Sequence, residues 1–145
     1  MSATAAHADG PESSAVDRLG LREGLVVQEF GYDDDCDESF RQAVEERISG
    51  ELVDEDFDDV VDVVLLWWRE DDGDLVDGLV DARTTLADDG TIWLLTPKAG
   101  REGYIEPSEI GENAPTAGFQ ATSSVSAAQD WVGTRLVGPR GKGKK

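Results

Sequence analysis

The chain has 145 residues, 32 of them Asp or Glu and 13 of them Lys or Arg, so its formal net charge is −19 at pH 7. A chain of this length fits one domain, and a body this acidic repels nucleic-acid phosphates and anionic lipid. We therefore expect no nucleic acid and no membrane among its partners, and a basic protein partner as the one that its charge favours. Adaptation of the surface to a high-salt cytoplasm is a second explanation of the same acidity.

Cysteine content and hydropathy indicate a cytoplasmic protein. Cys36 is the only cysteine, so the chain can form no internal disulfide. The N-terminus has neither the basic nor the apolar segment of a signal peptide. No apolar run approaches the roughly 18 residues that a membrane helix needs. We expect the protein in the cytoplasm, and its oligomeric state stays open.

Both ends of the chain differ in composition from its middle. Residues 1–17 are rich in Ala, Ser, Gly and Pro and poor in large apolar side chains, which predicts a disordered tail. Residues 138–145, GPRGKGKK, are predicted as a second flexible tail, which is basic. Such a tail can touch nucleic acid, but we interpret it as a solubilising end. A single domain is thus predicted over residues 18–137.

The predicted elements begin with a strand and a helix. Residues 25–27, Leu-Val-Val, indicate a short strand that could continue to Phe30. Asp37 can cap a helix that Gly50 ends. Three apolar residues spaced four apart fall on one face of this helix: Phe40, Val44 and Ile48. Residues 52–53, Leu-Val, are a candidate for a second short strand.

The middle of the chain predicts the most deeply buried strands. Residues 60–68, VVDVVLLWW, are almost all apolar and often β-branched, as in a parallel strand buried on both faces. Asp72 or Asp74 then caps a helix that ends at Gly90. The inward residues of this helix are Leu75, Leu79 and Leu86. Residues 91–96, TIWLLT, are predicted as another buried strand.

The last third predicts one more helix and two strands. Pro107 suits the first turn of a helix that ends near Gly118, and residues 119–125 and 131–137 are the final strands. The alternation of strands and helices implies right-handed crossovers and a Rossmann-like α/β sandwich. We expect a mostly parallel sheet of five or six strands, helices on both faces, and a last strand that is antiparallel at the sheet edge.

From residue 60 onward, the order of elements resembles the C-terminal half of the class I methyltransferase fold. Residues 86–95, LADDGTIWLL, are similar to that fold's passage from a helix end through a glycine turn into a buried strand. Gly118 and Phe119, followed by two strands, are similar to its closing hairpin. The resemblance implies a Rossmann-like sheet.

The cofactor-binding half of that family is not matched. In the family, a strand and an acidic residue precede Gly-x-Gly-x-Gly, which lets the backbone touch S-adenosylmethionine. Here Glu29 and Gly31 fit the start of the pattern, but residues 32–35, YDDD, replace its remaining glycines. A Cβ blocks close approach of the backbone, and aspartates disfavour a carboxylate or a phosphate. We therefore expect no cofactor, and the dinucleotide fingerprint fails for the same reason.

Four short segments between residues 19 and 137 resemble an uncharacterised bacterial family, domain of unknown function 3052. They are residues 19–24 (LGLREG), 63–68 (VVLLWW), 96–98 (TPK) and 130–134 (DWVGT). The resemblance implies a Rossmann-like fold. It implies no activity, so it carries no catalytic residue over to this chain.

Two acidic runs match a calcium loop only in part. Asp33, Asp35 and Asp37 fit positions 1, 3 and 5 of such a loop, but Glu38 stands where Gly is required. A second run over residues 54–59 fails in the same way. We predict no metal site and interpret these acids as helix caps and a solvated rim.

The sequence holds no complete catalytic set. Cys36 stands among carboxylates that disfavour its thiolate, and the only histidine, His7, lies in the predicted tail. Ser-His-Asp triads, Cys-His pairs and histidine-rich metal sites are thereby excluded. We favour a protein that is not an enzyme and assign no catalytic residue.

A candidate ligand crevice lies where two predicted strands end. Arg69 and Lys98 follow the strands of residues 60–68 and 91–96, and ligands of open α/β sheets bind at such carboxyl ends. Two cations at one lip need an anion or a carboxylate between them. The candidate ligand-binding residues are Tyr32, Trp68, Arg69, Thr96, Lys98 and Trp131. In the alternative, Trp67 or Trp68 belongs to the core, and the two cations neutralise adjacent acids.

Two functions follow from these observations. We favour a non-catalytic regulatory or interaction protein whose acidic surface docks a basic protein partner. The alternative is a small-ligand binder or enzyme that uses the crevice at the carboxyl ends of the parallel strands.

Overall fold

The computed structural model describes residues 16–138, so most of the predicted N-terminal tail and nearly all of the C-terminal one lie outside the described residues. In chain order the elements are β1 (Val27–Phe30), α1 (Glu38–Ile48), β2 (Val61–Trp67), α2 (Leu75–Ala82), β3 (Leu86–Pro97), α3 (Pro107–Thr116), β4 (Gln120–Ala128) and β5 (Trp131–Val137). Short 3-10 turns flank α2 on both sides. Within the described residues, no helix combines the length and the apolar character that a membrane crossing requires.

The five strands form one mixed sheet in the order β1-β2-β3-β5-β4. The first three strands pair in parallel, and β5 is antiparallel to both of its neighbours. Helix α1 packs on one face of the sheet, whereas α2 and α3 pack on the other. The predicted Rossmann-like α/β sandwich with helices on both faces is thus confirmed, with half of its strand pairings parallel.

The last strand does not lie at the sheet edge, where it was predicted. β5 lies between β3 and β4, and β4 is the outer strand. The side chains of Trp131 and Leu136 on β5 are buried in the cores of opposite faces. Residues 120–124 of β4 are all exposed. Since apolar burial drives folding, the apolar strand takes the central place and the polar strand takes the edge.

Helix α1 begins as its sequence predicts. Asp37 Oδ1 accepts a hydrogen bond from Phe40 N at 2.8 Å, which caps the first turn. The three predicted inward residues, Phe40, Val44 and Ile48, are all buried. The helix stops one residue earlier than predicted, because Ser49 rather than Gly50 adopts the left-handed conformation, with φ of 59°.

Helix α2 is shorter than predicted. Asp74 caps it, but it ends at Ala82, well before Gly90. Residues 84–85 are threonines, whose branched side chains lose rotamer freedom in a helix. Leu86, predicted to face inward from this helix, instead begins β3 and pairs with β2. Residues 86–90, which resemble a helix end and a glycine turn in sequence, therefore belong to a strand.

The domain begins earlier than predicted. Val16 and Leu19 are 1% and 5% exposed, and both belong to the core on the α1 face of the sheet. Asp17 forms an ion pair with Arg47 of α1. Residues 16–17 therefore belong to the domain rather than to the tail that was predicted over residues 1–17.

Gly31 lets the ends of β1 and β2 approach each other closely. Its φ is +80°, a conformation that L side chains rarely adopt, and a Cβ at this position would run into the carbonyl oxygen of Trp67. Gly100 has a similar φ of +88°, but a Cβ there would meet nothing within 4 Å. A side chain at Gly31 would therefore add both backbone strain and a clash with Trp67, whereas a side chain at Gly100 would add backbone strain alone.

Gly31→Ala is expected to lower the free energy of unfolding by more than about 3 kcal/mol, because it adds a backbone clash to the strain. Gly100→Ala adds strain alone and is expected to cost about 1 kcal/mol. Urea denaturation of both variants measures the difference. Equal losses would contradict the crowding of Gly31 against β2.

Candidate functional site

The carboxyl ends of β1, β2 and β3 open into a crevice of about 440 Å³. Its walls come from four places: the loop after β1, the turn after β2, the loop after β3 and the start of β5. We call it the carboxyl-end crevice and define it by its lining residues, Asp33, Asp35, Arg69, Asp71, Asp72, Pro97, Arg101, Glu102, Gly103, Asp130 and Trp131. Open α/β sheets bind their ligands at this end.

Arg69 lies at the centre of the carboxyl-end crevice. Its Nη2 is 2.5 Å from Asp35 Oδ1, and its Nη1 is 3.2 Å from Asp72 Oδ2. Nη1 also donates to the carbonyl oxygen of Gly31 at 2.9 Å. The guanidinium lies 5.2 Å from the ring centre of Trp131, within the range of a cation–π contact. Arg69 thus joins three segments of the chain: the loop after β1, the turn after β2 and the start of β5.

The charges of this group are fixed at neutral pH. Burial lowers the pKa of Arg69, but hydrogen bonds to Asp35 and Asp72 outweigh it and leave that pKa raised. The same hydrogen bonds from Arg69 hold the pKa of Asp35 below its ordinary value. Arg69 and Asp35 therefore both stay ionised, and carboxylates of the chain itself already neutralise the positive charge of Arg69.

A second, more buried network lies beside the crevice at the end of β1. Glu29 is 6% exposed and accepts from Nε and Nη2 of Arg41 at 2.7 and 2.8 Å. It also accepts from Nε1 of Trp67 at 2.8 Å. Because this carboxylate is satisfied on both oxygens, β1, α1 and β2 are fixed to one another.

Tyr32 belongs to this second network and lies outside the crevice. Its hydroxyl donates to Glu38, and its ring lies 4.2 Å from the guanidinium of Arg41. The hydrogen bond with Glu38 raises the pKa of Tyr32 and lowers the pKa of Glu38. Tyr32 is 47% exposed, so it presents a polar surface rather than a ligand wall.

Of the six predicted ligand-binding residues, the structure brings only Arg69 and Trp131 together in the carboxyl-end crevice. Trp68 packs on the opposite face, against Gly78 of α2. Thr96 is buried and lines a different cavity. Lys98 donates from Nζ to Ser126 Oγ at 2.7 Å, away from the crevice.

The predicted pairing of Arg69 with Lys98 is therefore wrong. Trp67 lies beside Leu95 in the parallel register, so two residues on, Arg69 comes beside Pro97. Side chains alternate between the faces of a sheet. Lys98 consequently projects to the face that Arg69 does not share.

Thr96 instead lines a second cavity of about 280 Å³ between α3 and the β4–β5 pair. Its other walls are mostly apolar or hydroxyl-bearing, with Ile105, Ile110 and Val132 among them. No charged residue lines it. The two cavities therefore differ in character, one acidic and one neutral.

Sequence reasoning missed most of the acids that define the carboxyl-end crevice. The sequence pattern places Asp35 in a solvated rim and gives Asp130 no role in a site. The available signal was position: Glu102 and Asp130 follow the predicted strands of residues 91–96 and 119–125 at the ends that open here. A count of charges does not show that these two acids share the crevice, because that depends on the register of the strands.

Within residues 16–138, the acids and Cys36 do not form a site for metal binding or cysteine chemistry. Among the described residues, no group of three or more His, Cys, Asp or Glu side chains could hold a metal ion. Burial raises the pKa of the Cys36 thiol to about 11. Cys36 is therefore neutral and weakly nucleophilic at physiological pH.

Comparison with known families gives a match over nearly the whole described chain. The family model described as "Protein of unknown function (DUF3052)" matches residues 16–140. Uncharacterised proteins of Mycobacterium tuberculosis and Mycobacterium bovis are 52% identical over 128 residues, which is 88% of this chain and 80% of each relative.

Several solved structures with a similar fold are methyltransferases. The mitomycin 7-O-methyltransferase MmcR aligns with a TM-score of 0.61 at 12% identity, over 88% of this chain and 54% of its own. A SAM-dependent methyltransferase of Aquifex aeolicus aligns with a TM-score of 0.52 at 13% identity, over 92% of this chain and 96% of its own. The chain thus spans about half of MmcR, and identity this low shows the fold alone.

The loop after β1 does not fit S-adenosylmethionine, the cofactor that this fold implies. The N–H of Gly31 donates to Glu55 Oε2 at 2.8 Å, and its carbonyl accepts from Arg69. The side of Gly31 that lacks a Cβ faces Trp67. The backbone groups that would meet a cofactor are therefore engaged by the chain itself, and residues 32–35 add bulk and negative charge beside them.

Glu29→Gln is expected to lower the free energy of unfolding by about 2 kcal/mol, because it leaves Arg41 facing a neutral amide in a buried site. Glu38→Gln removes a carboxylate from the same arginine at an exposed position. It is expected to leave the melting temperature nearly unchanged. Thermal and urea unfolding compare the two, and a larger loss for Glu38→Gln would refute the structural role of Glu29.

Proposed function

Because the chain belongs to the DUF3052 family, whose description names no activity, we propose its function from the site: a non-catalytic interaction protein whose carboxyl-end crevice receives an arginine or lysine side chain of a basic protein partner. The observation that carries the proposal is the excess of negative charge in the crevice. Its walls contribute six carboxylates and two guanidinium groups.

Both arginines of the crevice are already paired. Arg69 is bound by Asp35 and Asp72, and Arg101 Nη2 lies 3.3 Å from Asp130 Oδ2. Three crevice carboxylates form no ion pair with a described residue. Asp33 among them accepts a hydrogen bond from the N–H of Asp34, whereas Asp71 and Glu102 accept no side-chain hydrogen bond from a described residue. These two carboxylates are free to receive an incoming cation, and an anionic ligand would meet net repulsion.

The crevice also offers the surroundings that a guanidinium requires. Carboxylate oxygens supply charge-assisted hydrogen bonds, as they already do for the chain's own Arg69. The ring of Trp131 is 3% exposed and Arg69 already lies over it, so this ring is not free to stack against an incoming cation. A partner's arginine would find the same carboxylate chemistry in the remaining open part of the crevice.

The non-catalytic part of the proposal is supported by the side chains near the crevice. The only histidine of the chain, His7, lies outside the described residues. The nearest thiol, Cys36, is buried and has a raised pKa. The crevice thus presents carboxylates and paired arginines, without a poised nucleophile and base.

The crevice should bind a capped tetra-arginine peptide but not a capped tetra-glutamate peptide, as measured by calorimetry. The double variant Asp71→Asn/Glu102→Gln is expected to weaken tetra-arginine binding at least about tenfold, because it removes two of the three carboxylates that form no ion pair with a described residue. Raising the salt concentration is expected to weaken binding further by screening.

The matched control is Asp77→Asn/Glu46→Gln, which makes the same charge change at exposed positions on α2 and α1. It should change the affinity less than about twofold. If both double variants weaken binding equally, the overall charge of the body attracts the peptide and the crevice has no special role.

The second candidate is a small-ligand enzyme at the same end of the sheet. It is favoured by the fold, since one similar structure is a methyltransferase crystallised with S-adenosylhomocysteine (CalH, TM-score 0.56, 14% identity). The engaged backbone of Gly31 and the acids beside it oppose this candidate.

We expect no S-adenosylmethionine binding at micromolar concentration. The cause is the loss of the glycine pattern over residues 32–35 and the internal hydrogen bonds of the preceding glycine. Calorimetry with the cofactor checks this expectation. A dissociation constant below about 100 µM, roughly −5.5 kcal/mol, would favour the enzyme over the interaction protein.

A further inference from the structure

The charge pattern of the chain is interrupted around strand β4. From Asn113 to Gln129 no residue is charged, although 31% of the whole chain is Asp, Glu, Lys or Arg. β4 occupies most of the second half of this stretch, and its first five residues are exposed. An uncharged, exposed strand is the feature of this acidic molecule that the proposed function leaves unexplained.

β4 is the outer strand of the sheet. One side pairs with β5, and no described strand pairs with the other side. Outer strands expose backbone N–H and C=O groups, and proteins guard them with charges, prolines, β-bulges, short length or a covering segment. β4 has nine residues with neither charge nor proline. Two register shifts near its ends leave Ser123–Ser126 in regular pairing.

The opposite edge of the same sheet is guarded. β1 has only four residues. Val53 covers it, because Glu29 N donates to the Val53 carbonyl at 2.9 Å and Val53 N donates to the Val27 carbonyl at 3.0 Å. The open edge at β4 is therefore not a general property of this sheet.

Two positive side chains contact hydroxyl groups of β4. Lys98 Nζ contacts Ser126 Oγ at 2.7 Å, and Arg135 Nη1 lies 3.3 Å from Thr122 Oγ1. Neither cation forms an ion pair with a carboxylate of the described chain. In a body of net charge −19, an uncharged strand repels a second copy less than an acidic surface does.

We infer that β4 pairs antiparallel with β4 of a second copy, about a two-fold axis near Ser124, so that two five-stranded sheets become one of ten strands. An antiparallel strand pair is self-complementary, as a two-fold interface requires. The facing side chains would be small and hydroxyl-bearing, which suits cross-strand contacts. A basic partner would be drawn to the acidic faces instead, since β4 has no charge to attract it.

This self-association has a salt dependence opposite to that of the proposed partner binding. The two bodies repel each other at long range, and salt screens that repulsion. Dimerisation should therefore strengthen with salt, whereas binding of a basic peptide in the crevice should weaken. Failure of one effect is distinguishable from failure of the other.

Sedimentation equilibrium of the full chain tests the inference, from about 5 to about 200 µM protein and at about 50 and about 500 mM NaCl. We expect a monomer–dimer equilibrium that shifts toward dimer at high salt. Ser124→Lys should weaken dimerisation at least about tenfold, because two lysines would face each other at the axis. Gln42→Lys makes the same charge change at an exposed position on α1 and should leave the equilibrium unchanged.

Ser124→Cys tests the geometry without relying on a disruptive variant. Oxidation by copper–phenanthroline should give a disulfide-linked dimer, since the two thiols lie across the axis. Gln42→Cys should give none, and the buried Cys36 is common to both variants.

Three results would overturn the inference. The first is a monomer at every concentration and salt, which includes the case in which residues 1–15 of the chain itself cover the edge. The second is a dimer that Ser124→Lys weakens no more than Gln42→Lys. The third is a dimer in which Ser124→Cys fails to cross-link.

Discussion

The guanidinium of Arg69 holds together the segments that meet at the carboxyl end of the sheet. It bonds to the carbonyl of Gly31 after β1 and to the carboxylate of Asp72 after β2. It also pairs with Asp35 and lies over the ring of Trp131 from β5. A cation that is largely removed from water must be paired. Asp35 and Asp72 therefore neutralise this arginine. The other carboxylates of the crevice give it an excess of negative charge.

This arrangement changes what a Rossmann-like sheet offers at its ligand end. The backbone after β1, which a cofactor would use, is closed by Glu55 and Arg69. What stays open is an acidic crevice suited to a cation. At the far edge of the sheet, β4 offers an uncharged strand with open backbone groups. We propose a basic partner for the first surface and an identical copy for the second, two associations that salt would affect in opposite directions.

Patterns within single elements were sufficient to predict most of the fold. The run of residues 60–68 predicted a buried parallel strand, and the spacing of Phe40, Val44 and Ile48 predicted the inner face of α1. How the elements lie relative to one another is harder to predict from sequence. The place of β5 depends on which strand buries more apolar surface, and the opposite orientations of Arg69 and Lys98 depend on strand register, neither of which a single element shows. Glu29 was noticed only as part of a cofactor pattern, because its partners lie 12 and 38 residues away.

We propose that the carboxyl-end crevice accepts a guanidinium at Asp71 and Glu102, in a cavity that Trp131 also lines. The chain has four tryptophans, and their indole N–H groups report on separate places: Trp131 donates to the carbonyl of Asp35 in the crevice, whereas Trp93 donates to that of Leu19 in the core. Nuclear magnetic resonance of the indole N–H signals during titration with ethylguanidinium, at constant ionic strength, tests the claim directly. We expect a saturable shift of the Trp131 signal while the Trp93 signal stays unmoved. An unmoved Trp131 signal, or equal shifts of all four, would contradict it.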